Sequence, residues 1–405
     1  MLNILVLSYL YPNNVFPNHG IFVHNRIKAV AKRASVTVIN PIPTSPVHRF
    51  SSLHKQMADI PEQEAIDGIQ VYHPRFLSIP KVGKQVESVT YRRAVQRVVR
   101  QLGVTSVDVV DLHWTFPDLP AGVALAKQLG APLLCTIRGK EALHEGEGNY
   151  SQRCVQQSLS KVDGVIGVSR DLMKSAMAFT REGTPGFTIR NGVATERFVY
   201  QSQAECRDML GIPHDYKVIF SVGSLIYRKG FDLTLKALAR LRDAGHNNLH
   251  FYIGGSVGHE GNYSATLQCL VDELKLRSVV HFVGQIANKD LAQWYNAADI
   301  YCLSSRGEGS PNVLTEALSC GCPSVVADVG AAKEIVESEP EQGICVAADS
   351  VDGIEQGIRH VLATDYDRSL ASQRFAKYTW DWCADEVLNV YQKIAAVPSL
   401  TPGQG

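Results

Sequence analysis

A chain of 405 residues exceeds what one ordinary hydrophobic core organises, so two domains are expected. Hydrophobic residues make up 45% of the chain and charged residues 20%, a composition that excludes disorder over most of its length. No apolar run approaches the roughly 18 residues of a transmembrane helix, and the N-terminal residues lack the basic flank of a signal peptide. We therefore expect a cytoplasmic protein, or one held peripherally at the inner face of the cell membrane.

The formal net charge is zero, but the two halves of the chain differ in sign. Residues 1–190 carry 22 Lys and Arg against 14 Asp and Glu, a balance of +8. Because the whole chain has 40 of each kind, residues 191–405 carry 18 against 26, a balance of −8. Opposite signs indicate different partners for the two halves, although a drift of charge between domains would produce the same numbers.

The nine cysteines follow none of the spacings of a metal site. Only Cys320 and Cys322 are close together, in an apolar segment that leads into a strand. Free, buried thiols in a reducing compartment are therefore expected, and no disulfide framework.

Short apolar runs alternate with helical periodicity along the first half of the chain, which is typical of a parallel sheet with crossover helices. Helices are predicted near His24–Lys32 and Leu119–Leu129. The predicted strands are Asn3–Ser8, Ser35–Ile39, Gln70–His73, Val107–Leu112, Pro132–Thr136, Gly164–Val168 and Phe187–Arg190.

The same alternation begins again in the second half. Its predicted strands are Lys217–Val222, Leu249–Gly254, Val279–Val283, Ile300–Leu303, Pro323–Ala327 and Gly343–Val346. The predicted helices are Phe231–Ala244, Ser264–Leu274, Asn288–Ala297, Asn312–Ser319, Val351–Leu362 and a last one near Trp382–Ala395.

These elements predict an α/β fold with two doubly wound, Rossmann-like domains facing across a cleft. The expected boundaries are 1–192 and 193–378, with a C-terminal helix within 379–396 that packs back towards the first domain. Ligands in such sheets bind outside the carboxyl ends of the strands, so functional residues are expected on strand-to-helix turns.

The strongest chemical signal is the segment from Glu308 to Glu316, which follows a buried strand and opens a helix. The backbone N–H groups and positive dipole end of a helix start suit a diphosphate. Two carboxylates beside it can accept hydrogen bonds from sugar hydroxyls. One helix-start Glu and one solvated Glu would be the plainer interpretation, but it leaves the small residues Gly307, Gly309 and Ser310 unexplained.

The segment resembles the paired-glutamate signature of family 4 of the retaining GT-B glycosyltransferases. Four more segments resemble that family in the right order, and together they extend over nearly the whole chain. They are Asn18-His-Gly-Ile-Phe22, Val165-Ile-Gly-Val-Ser-Arg-Asp-Leu172, Ile189-Arg-Asn-Gly-Val-Ala-Thr-Glu-Arg-Phe198 and Phe220-Ser-Val-Gly-Ser-Leu-Ile-Tyr-Arg-Lys-Gly-Phe-Asp232. The first domain would then face the acceptor, and the second would bind the donor.

The resemblance also implies roles for single residues. Glu308 would contact the donor sugar, Glu316 the ribose, and Lys229 the leaving diphosphate, although a surface Lys in a turn is the plainer interpretation of Lys229. Gly20 would let the first-domain loop approach the donor phosphates. Backbone groups of the second domain would line the sugar, phosphates and base; those donor-binding positions are Gly223, Ser224, Gly284, Gln285, Ile286, Gly309, Ser310, Asn312, Val313 and Leu314.

The sequence departs from the family pattern at two positions. Ser224 stands where an Arg is common, and Arg228 four residues later is a candidate to supply that charge. Arg138 stands where a His is common, and a guanidinium cannot act as a base, so we expect it to orient or neutralise the phosphate. His113 and Asp111 are acceptor-side candidates, expected to position groups and not to catalyse.

The resemblance implies same-face attack with retention, in which the departing phosphate oxygen takes the acceptor's proton. The nucleotide diphosphate sugar is then a substrate, and neither a cofactor nor a metal is expected. Asp365-Tyr-Asp367 resembles a metal-binding motif, but it follows a late helix and is interpreted as a surface turn. Gly254-Gly-Ser-Val-Gly258 lacks the full dinucleotide fingerprint, which argues against a nicotinamide cofactor.

The expected acceptor is a hydroxyl group, and a lipid-linked or polysaccharide acceptor in cell-envelope assembly is favoured. Residues 81–102 carry Lys81 and Lys84 followed by a helix with apolar residues on one face and four arginines on the other. That pattern suits an anionic membrane surface, and equally a core-facing helix with a solvated basic back. A soluble small-molecule glycosyltransferase and a catalytically silent sugar-nucleotide-binding protein are the alternatives; no nucleic-acid partner is expected.

Overall fold

The computed structural model describes residues 1–45, 52–78, 83–139, 143, 148–258 and 261–396. Contacts within the chain divide it into two compact units. The first unit contains residues 1–191 and the chain from Trp380 onward, and the second contains Gly192–Thr379. Each unit is an α/β structure with its own central sheet, which confirms the predicted fold class.

The first unit has an eight-stranded sheet in the order β10-β9-β8-β7-β1-β2-β5-β4 and a separate two-stranded sheet of β3 and β6. All neighbours pair in parallel except β4 and β5. The strands are β1 Asn3–Leu7, β2 Ser35–Ile39, β3 Ile42–Thr44, β4 Gln63–Ile66, β5 Ile69–Tyr72, β6 Arg75–Leu77, β7 Val109–Leu112, β8 Leu133–Ile137, β9 Gly164–Gly167 and β10 Gly186–Thr188. The sequence predicted the seven long parallel strands within one or two residues and missed β3, β4 and β6.

Helices of the first unit cover both faces of this sheet. They are α1 Ile21–Ala31, α2 Ser52–Ala58, α3 Lys84–Gln101, α4 Asp118–Leu129, α5 Tyr150–Leu159 and α6 Arg170–Met177. The side chains of Asn149 and Ser169 accept hydrogen bonds from backbone N–H groups at the starts of α5 and α6, which satisfies donors that no helical carbonyl reaches. Helix α3 begins at Lys84, a residue predicted to lie just before the helix.

The second unit has a six-stranded sheet in the order β13-β12-β11-β14-β15-β16, parallel throughout. Its strands are β11 Lys217–Val222, β12 Leu249–Gly254, β13 Val280–Gly284, β14 Ile300–Leu303, β15 Ser324–Ala327 and β16 Gly343–Val346. Its helices are α7 Gln203–Leu210, α8 Phe231–Asp243, α9 Ser264–Glu273, α10 Leu291–Ala297, α11 Asn312–Ser319, α12 Ala332–Glu337, α13 Val351–Ala363 and α14 Arg368–Phe375. Two apolar clusters lie one on each face of the sheet.

The parallel arrangement decides where functional residues of the second unit meet. Because β11 to β16 run in one direction, the turns that follow them lie at one edge of the sheet. The segments 223–230, 254–258, 284–286, 304–311 and 328–331 therefore share this edge. We call it the carboxyl edge of the second unit.

The last helix, α15 Trp380–Ala395, belongs to the first unit and packs on α1. Its apolar face, which includes Val387, Tyr391 and Ile394, shares a core with Ile4 and Val6 of β1. The helix begins two residues before the predicted Trp382.

Among the described residues, no helix is both long and apolar enough to cross a membrane. All nine cysteines are free, and six of them are buried. The buried ones are Cys135, Cys206, Cys302, Cys320, Cys322 and Cys383. Burial raises the pKa of Cys302 and of Cys322 to about 11, so both thiols stay protonated at neutral pH.

Candidate functional site

A cation and a carboxylate face each other at the carboxyl edge of the second unit. Lys229 Nζ lies 2.6 Å from Glu308 Oε1, and the two side chains are 16% and 9% exposed. Arg228 Nη1 donates to the Gly307 carbonyl at 2.8 Å and lies 3.5 Å from Glu308 Oε2. Ser305 Oγ donates to Glu308 Oε1 at 2.7 Å. The structure thus brings Lys229, Arg228 and Glu308 together, and it directs Arg228 towards the Glu308 loop.

Two glycines allow this approach of the turns. Lys229 ends a short 3-10 turn, Tyr227–Lys229, and Gly230 follows it with a left-handed φ of 66°. A Cβ on Gly230 would lie 2.0 Å from the Ser304 carbonyl oxygen, so no larger residue fits there. At Gly223 a Cβ would come within 3.2 Å of Lys229 Cε, so this glycine leaves room for the lysine stem.

The loop that carries Glu308 lies against the turn after β15. Ala331 N donates to the Gly309 carbonyl at 2.8 Å. Gly330 has a φ of 55°, and a Cβ there would lie 2.3 Å from the Glu308 carbonyl oxygen. The backbone around Glu308 is therefore supported by the turn after β15 as well as by Arg228 of the turn after β11.

Helix α11 begins at Asn312, and Pro311 precedes it in an extended conformation. Val313 is half-buried, and Leu314 is buried in the core of the second unit, with its backbone N–H donated to the Pro311 carbonyl at 3.0 Å. Ser310 Oγ is buried and makes no hydrogen bond to any described residue. A buried hydroxyl beside a helix start suits a ligand oxygen.

Glu316 lies one turn inside α11 and is enclosed by aromatic rings. Tyr295 Oη donates to Glu316 Oε2 at 3.1 Å. Burial raises the pKa of Glu316 from 4.5 to about 7, although the Tyr295 hydrogen bond and the nearby Arg197 act in the opposite direction. The fully buried Tyr301 lies against Tyr295, with ring centroids 5.5 Å apart, and its hydroxyl has no partner among the described residues.

The remaining predicted donor positions of this unit follow β11 and β13. Gly284 ends β13 with a φ of 74°, and Gln285 is exposed beside it. Ile286 packs on the core and reaches Gly254, where a Cβ would lie 2.5 Å from Ile286 Cδ1. Ser224 lies beneath Gly258, at 2.7 Å from the position of a Cβ there. All of these positions are at the carboxyl edge.

Four predicted residues lie in the first unit. Gly20 has a φ of 65°, and a Cβ there would lie 2.5 Å from the Leu10 backbone, so the loop after β1 closes tightly on itself. Phe22 follows in the first turn of α1, and the Arg138 guanidinium lies 5.2 Å from its ring centroid. Arg138 directly follows β8 and is 8% exposed.

Arg138, His113 and Asp111 form one buried polar cluster. Arg138 donates to His113 Nδ1 at 3.0 Å, and a guanidinium can only donate, so Nδ1 is the acceptor nitrogen. The imidazole proton then resides on Nε2, which lies 2.9 Å from Asp111 Oδ2. Burial and the neighbouring arginines keep the pKa of His113 below its usual value, so it is a neutral ring that accepts from Arg138 at Nδ1 and has Nε2 close to Asp111. A ring held in this way positions the side chains of Arg138 and Asp111.

The cluster extends to residues for which the sequence offered no signal. Tyr391 of α15 donates to Asp111 Oδ2 at 2.5 Å, and fully buried Arg26 of α1 donates to Asn191 Oδ1 at 3.3 Å. Arg138 donates to the same Asn191 oxygen at 3.1 Å. Burial alone would raise the pKa of Asp111, but His113, Tyr391 and Arg26 together hold it below the usual value. The Asp111 carboxylate is therefore ionised, and its negative charge offsets the positive charges of Arg26 and Arg138.

The two motifs set aside in the sequence analysis make structural contacts. Asp367 of the Asp-Tyr-Asp segment accepts a hydrogen bond from Leu370 N at 2.9 Å and caps α14. Gly255, in the segment that follows β12, has its α-hydrogens against the Gly223 carbonyl, where a Cβ would lie at 1.9 Å. Among the described residues, no three His, Cys, Asp or Glu side chains lie close enough to hold a metal ion.

Family models match nearly the whole chain. The model for glycosyl transferases group 1 matches residues 202–379, and the model for glycosyltransferase family 4 matches residues 19–197. Together they span residues 19–379 except 198–201.

The chain is similar to a putative teichuronic acid biosynthesis glycosyltransferase, TuaC, of Bacillus subtilis, with 25% identity over 81% of this chain and 82% of TuaC. Its fold is similar to sucrose-phosphate synthase from Thermosynechococcus elongatus, with a TM-score of 0.77 and 19% identity over 98% and 100% of the two chains. Anabaena HepE in complex with UDP is also similar, with a TM-score of 0.72 and 18% identity over 97% and 100%. The chain therefore belongs to the group 1, family 4 glycosyltransferases (EC 2.4), and each of its two units is a Rossmann-like domain of the GT-B fold.

Proposed function

We propose that the protein is a hexosyltransferase that moves a sugar from a nucleotide diphosphate sugar to a hydroxyl acceptor with retention of anomeric configuration. The observation that carries the proposal is the contact of Lys229 and Arg228 with Glu308 beside the start of α11. Cations and helix amides at one point suit a diphosphate, and a carboxylate beside them suits sugar hydroxyls. The similar structure of HepE holds UDP, which supports a nucleotide donor.

In the proposed reaction the bond between the anomeric carbon and the β-phosphate oxygen breaks while the acceptor oxygen attacks from the same face. The acceptor's proton passes to the departing phosphate oxygen, so the products are a glycoside and a nucleoside diphosphate. Lys229 and Arg228 stabilise the negative charge that develops on that phosphate. Before the donor binds, the Lys229 ammonium forms an ion pair with Glu308. When the donor binds, its phosphate replaces Glu308 as the partner of Lys229, and Glu308 accepts hydrogen bonds from the sugar.

No divalent metal takes part in this proposal, because two side-chain cations supply the charge that a metal would otherwise supply. The remaining donor contacts come from backbone groups at the carboxyl edge, from Gly284 to Ile286 and from Gly309 to Leu314. Arg138, with two of its N–H groups already donated to His113 and Asn191, acts by fixed positive charge and not as a proton carrier.

We further propose a lipid-linked or polysaccharide acceptor in cell-envelope assembly, with the protein peripheral at the inner face of the cell membrane. The similarity to a teichuronic acid glycosyltransferase supports this acceptor class. The exposed arginines of α3 support a contact with anionic headgroups. A small-molecule acceptor is the second candidate, favoured by the similarity in fold to sucrose-phosphate synthase.

A donor screen tests the proposal. UDP-glucose, GDP-mannose, ADP-glucose and related donors are added to the protein, and the donor should raise the melting temperature in proportion to its affinity. Incubation with that donor and EDTA should release the nucleoside diphosphate, slowly with water alone and faster with an acceptor. Failure of every nucleotide sugar to shift the melting temperature or to be cleaved would contradict the proposal.

Lys229→Ala tests the role of the cation. Loss of one charge that stabilises the leaving group should raise the barrier by about 2–4 kcal/mol, a fall in turnover of roughly 30- to 1,000-fold. Lys377→Ala is the matched control, because Lys377 also lies 2.6 Å from a carboxylate, Glu339, but away from the carboxyl edge. Equal turnover in both variants would show that Lys229 takes no part in the chemistry.

The anomeric proton coupling of the product, measured by NMR, decides between retention and inversion.

A further inference from the structure

Arg306 lies between β14 and Glu308, and its guanidinium contacts two carboxylates. It donates to both oxygens of Asp232, at 2.9 and 2.8 Å, and to Asp349 Oδ1 at 2.7 Å. Asp232 is in the first turn of α8 and is 4% exposed. Burial of Asp232 makes a bidentate partner important, because an unpaired carboxylate at that position would be costly.

The same residue reaches the turn that carries Lys229. Arg306 Nη1 donates to the Tyr227 carbonyl at 2.9 Å, and its guanidinium carbon lies 4.0 Å from the Tyr227 ring centroid. The Arg306 backbone N donates to the Arg228 carbonyl at 2.7 Å. One residue therefore binds the loop after β14 to two consecutive residues of the turn after β11.

A second link joins these segments at the other end. Ser304 Oγ donates to the Gly230 carbonyl at 2.8 Å, and Thr234 Oγ1 donates to Ser304 Oγ at 2.9 Å. This link belongs to the buried base of the turn and does not involve Arg306. Removal of the Arg306 side chain should therefore leave the turn attached at Gly230 and, through the Arg306 backbone N–H, at Arg228, while Tyr227 loses its side-chain support.

We infer that Arg306 is a positioning residue that holds the Lys229 turn and the Glu308 loop in one fixed arrangement for the donor. The inference rests on the proposed function and adds to it the residue that keeps Lys229 and Glu308 in a fixed relative position. Reacting groups must be held to a fraction of an ångström, and a displacement of about 1 Å costs roughly 100-fold in rate. Lysine cannot replace Arg306, since a single ammonium does not match a bidentate carboxylate and a carbonyl at the same time.

Hydrogen–deuterium exchange on the unliganded protein tests the positioning without any assumption about activity. In Arg306→Ala, amides of residues 223–230 and 304–310 should exchange faster, whereas β11 and β14 should be unchanged. Arg240→Ala is the matched control, because Arg240 pairs with Asp352 and Glu355 on an exposed helix surface of the same unit. Unchanged exchange in both segments of Arg306→Ala would overturn the inference.

Kinetics supply the second test, with whichever of UDP-glucose, GDP-mannose and ADP-glucose the wild type cleaves. Arg306→Ala and Arg306→Lys should both lower kcat by about 10- to 100-fold per folded molecule. The affinity for the free nucleoside diphosphate should fall less than kcat, since its ribose contact at Glu316 is on another element and only the Lys229 turn is loosened. A fall in melting temperature with unchanged kcat, or full activity in Arg306→Lys, would overturn the inference. If the wild type cleaves none of these donors, the proposed function fails, and the exchange experiment still decides the role of Arg306.

Discussion

The carboxyl group of Glu316 is buried, and its ionisation opposes folding. Its pKa is about 7 in the folded protein against 4.5 for an ordinary glutamate. Between these values the native state holds a proton that the unfolded state has released, so stability falls as pH rises from 4.5 to 7 and then stays level. A pKa that is two to three units higher in the folded protein corresponds to a loss of folding stability of about 3 kcal/mol.

Glu316→Gln should remove this loss, because a neutral amide of similar shape still accepts the Tyr295 hydrogen bond. The variant should gain about 1–3 kcal/mol over the wild type at pH 8 and much less at pH 5, measured by urea unfolding. It should also bind the nucleotide more weakly, since the ionised oxygens are the proposed ribose acceptors. A stability difference that is the same at both pH values would contradict the raised pKa.

Local patterns predicted some site residues and missed others for a physical reason. Glu308 and Lys229 lie on strand-to-helix turns with glycine neighbours, and Glu316 lies one turn inside the helix that follows Glu308, a pattern visible in a short window of sequence. Tyr295, which contacts Glu316, lies on another helix 21 residues earlier. Tyr391 meets Asp111 from a separation of 280 residues. Such pairings exist only once the chain is folded, and no spacing indicates them.

At the scale of elements, strands with a mainly apolar run between turn residues were predictable, whereas β3, β4 and β6 were not. β11, β12, β14 and β16 have the predicted bounds, because each is a continuous apolar run between turn residues. β3 and β6 have three residues each and contain a proline or an arginine, and β4 has mixed burial on an edge. Their pairing comes from tertiary contact, which overrides the weak local preference.

The turn after β15 offers a test of how elements support the Glu308 loop. Gly330→Ala puts a Cβ 2.3 Å from the Glu308 carbonyl, so the loop must move, and both donor affinity and stability should fall, the latter by about 1–3 kcal/mol.

Gly211→Ala is the matched control for this change. Gly211 has a similar φ of 66°, but nothing lies within 4 Å of a Cβ there, so it reports only the cost of the left-handed backbone. Unfolding curves and thermal shifts with the donor compare the two variants. If both lose the same stability and keep the same donor affinity, the Glu308 loop does not depend on the turn after β15.

At the scale of the molecule, the opposite charges of the two halves place the basic surplus in the first unit. In α3 the apolar residues Tyr91, Val95 and Val99 are buried in the core, so this face is not available to lipid. Arg92 and Arg93 are exposed on the other face. Of the predicted basic segment, residues 81 and 82 lie outside the described residues. Any membrane contact of α3 is therefore electrostatic.

Sedimentation with vesicles of anionic and of neutral lipids tests this contact. The protein should bind anionic vesicles at low salt and detach at about 0.5 M salt, since surface charges are screened over a few ångströms there. Replacing the exposed arginines of α3, Arg92, Arg93, Arg97 and Arg100, by Gln should abolish binding. Replacing Lys236, Arg240 and Arg242 of α8 in the same way is the control. Absence of wild-type binding at low salt would leave only the small-molecule acceptor.

Helix α15 closes the core of the first unit although it follows the whole second unit along the chain. Until residues 380–396 have emerged, Ile4 and Val6 lack their apolar cover and Asp111 lacks the Tyr391 hydroxyl. The second unit is contained within one uninterrupted stretch of chain, Gly192–Thr379, and its sheet is complete once that stretch has been synthesised. The core of the first unit is thus completed only after the whole second unit has been synthesised, and a truncation that removes α15 damages the first unit while it leaves the sheet of the second unit intact.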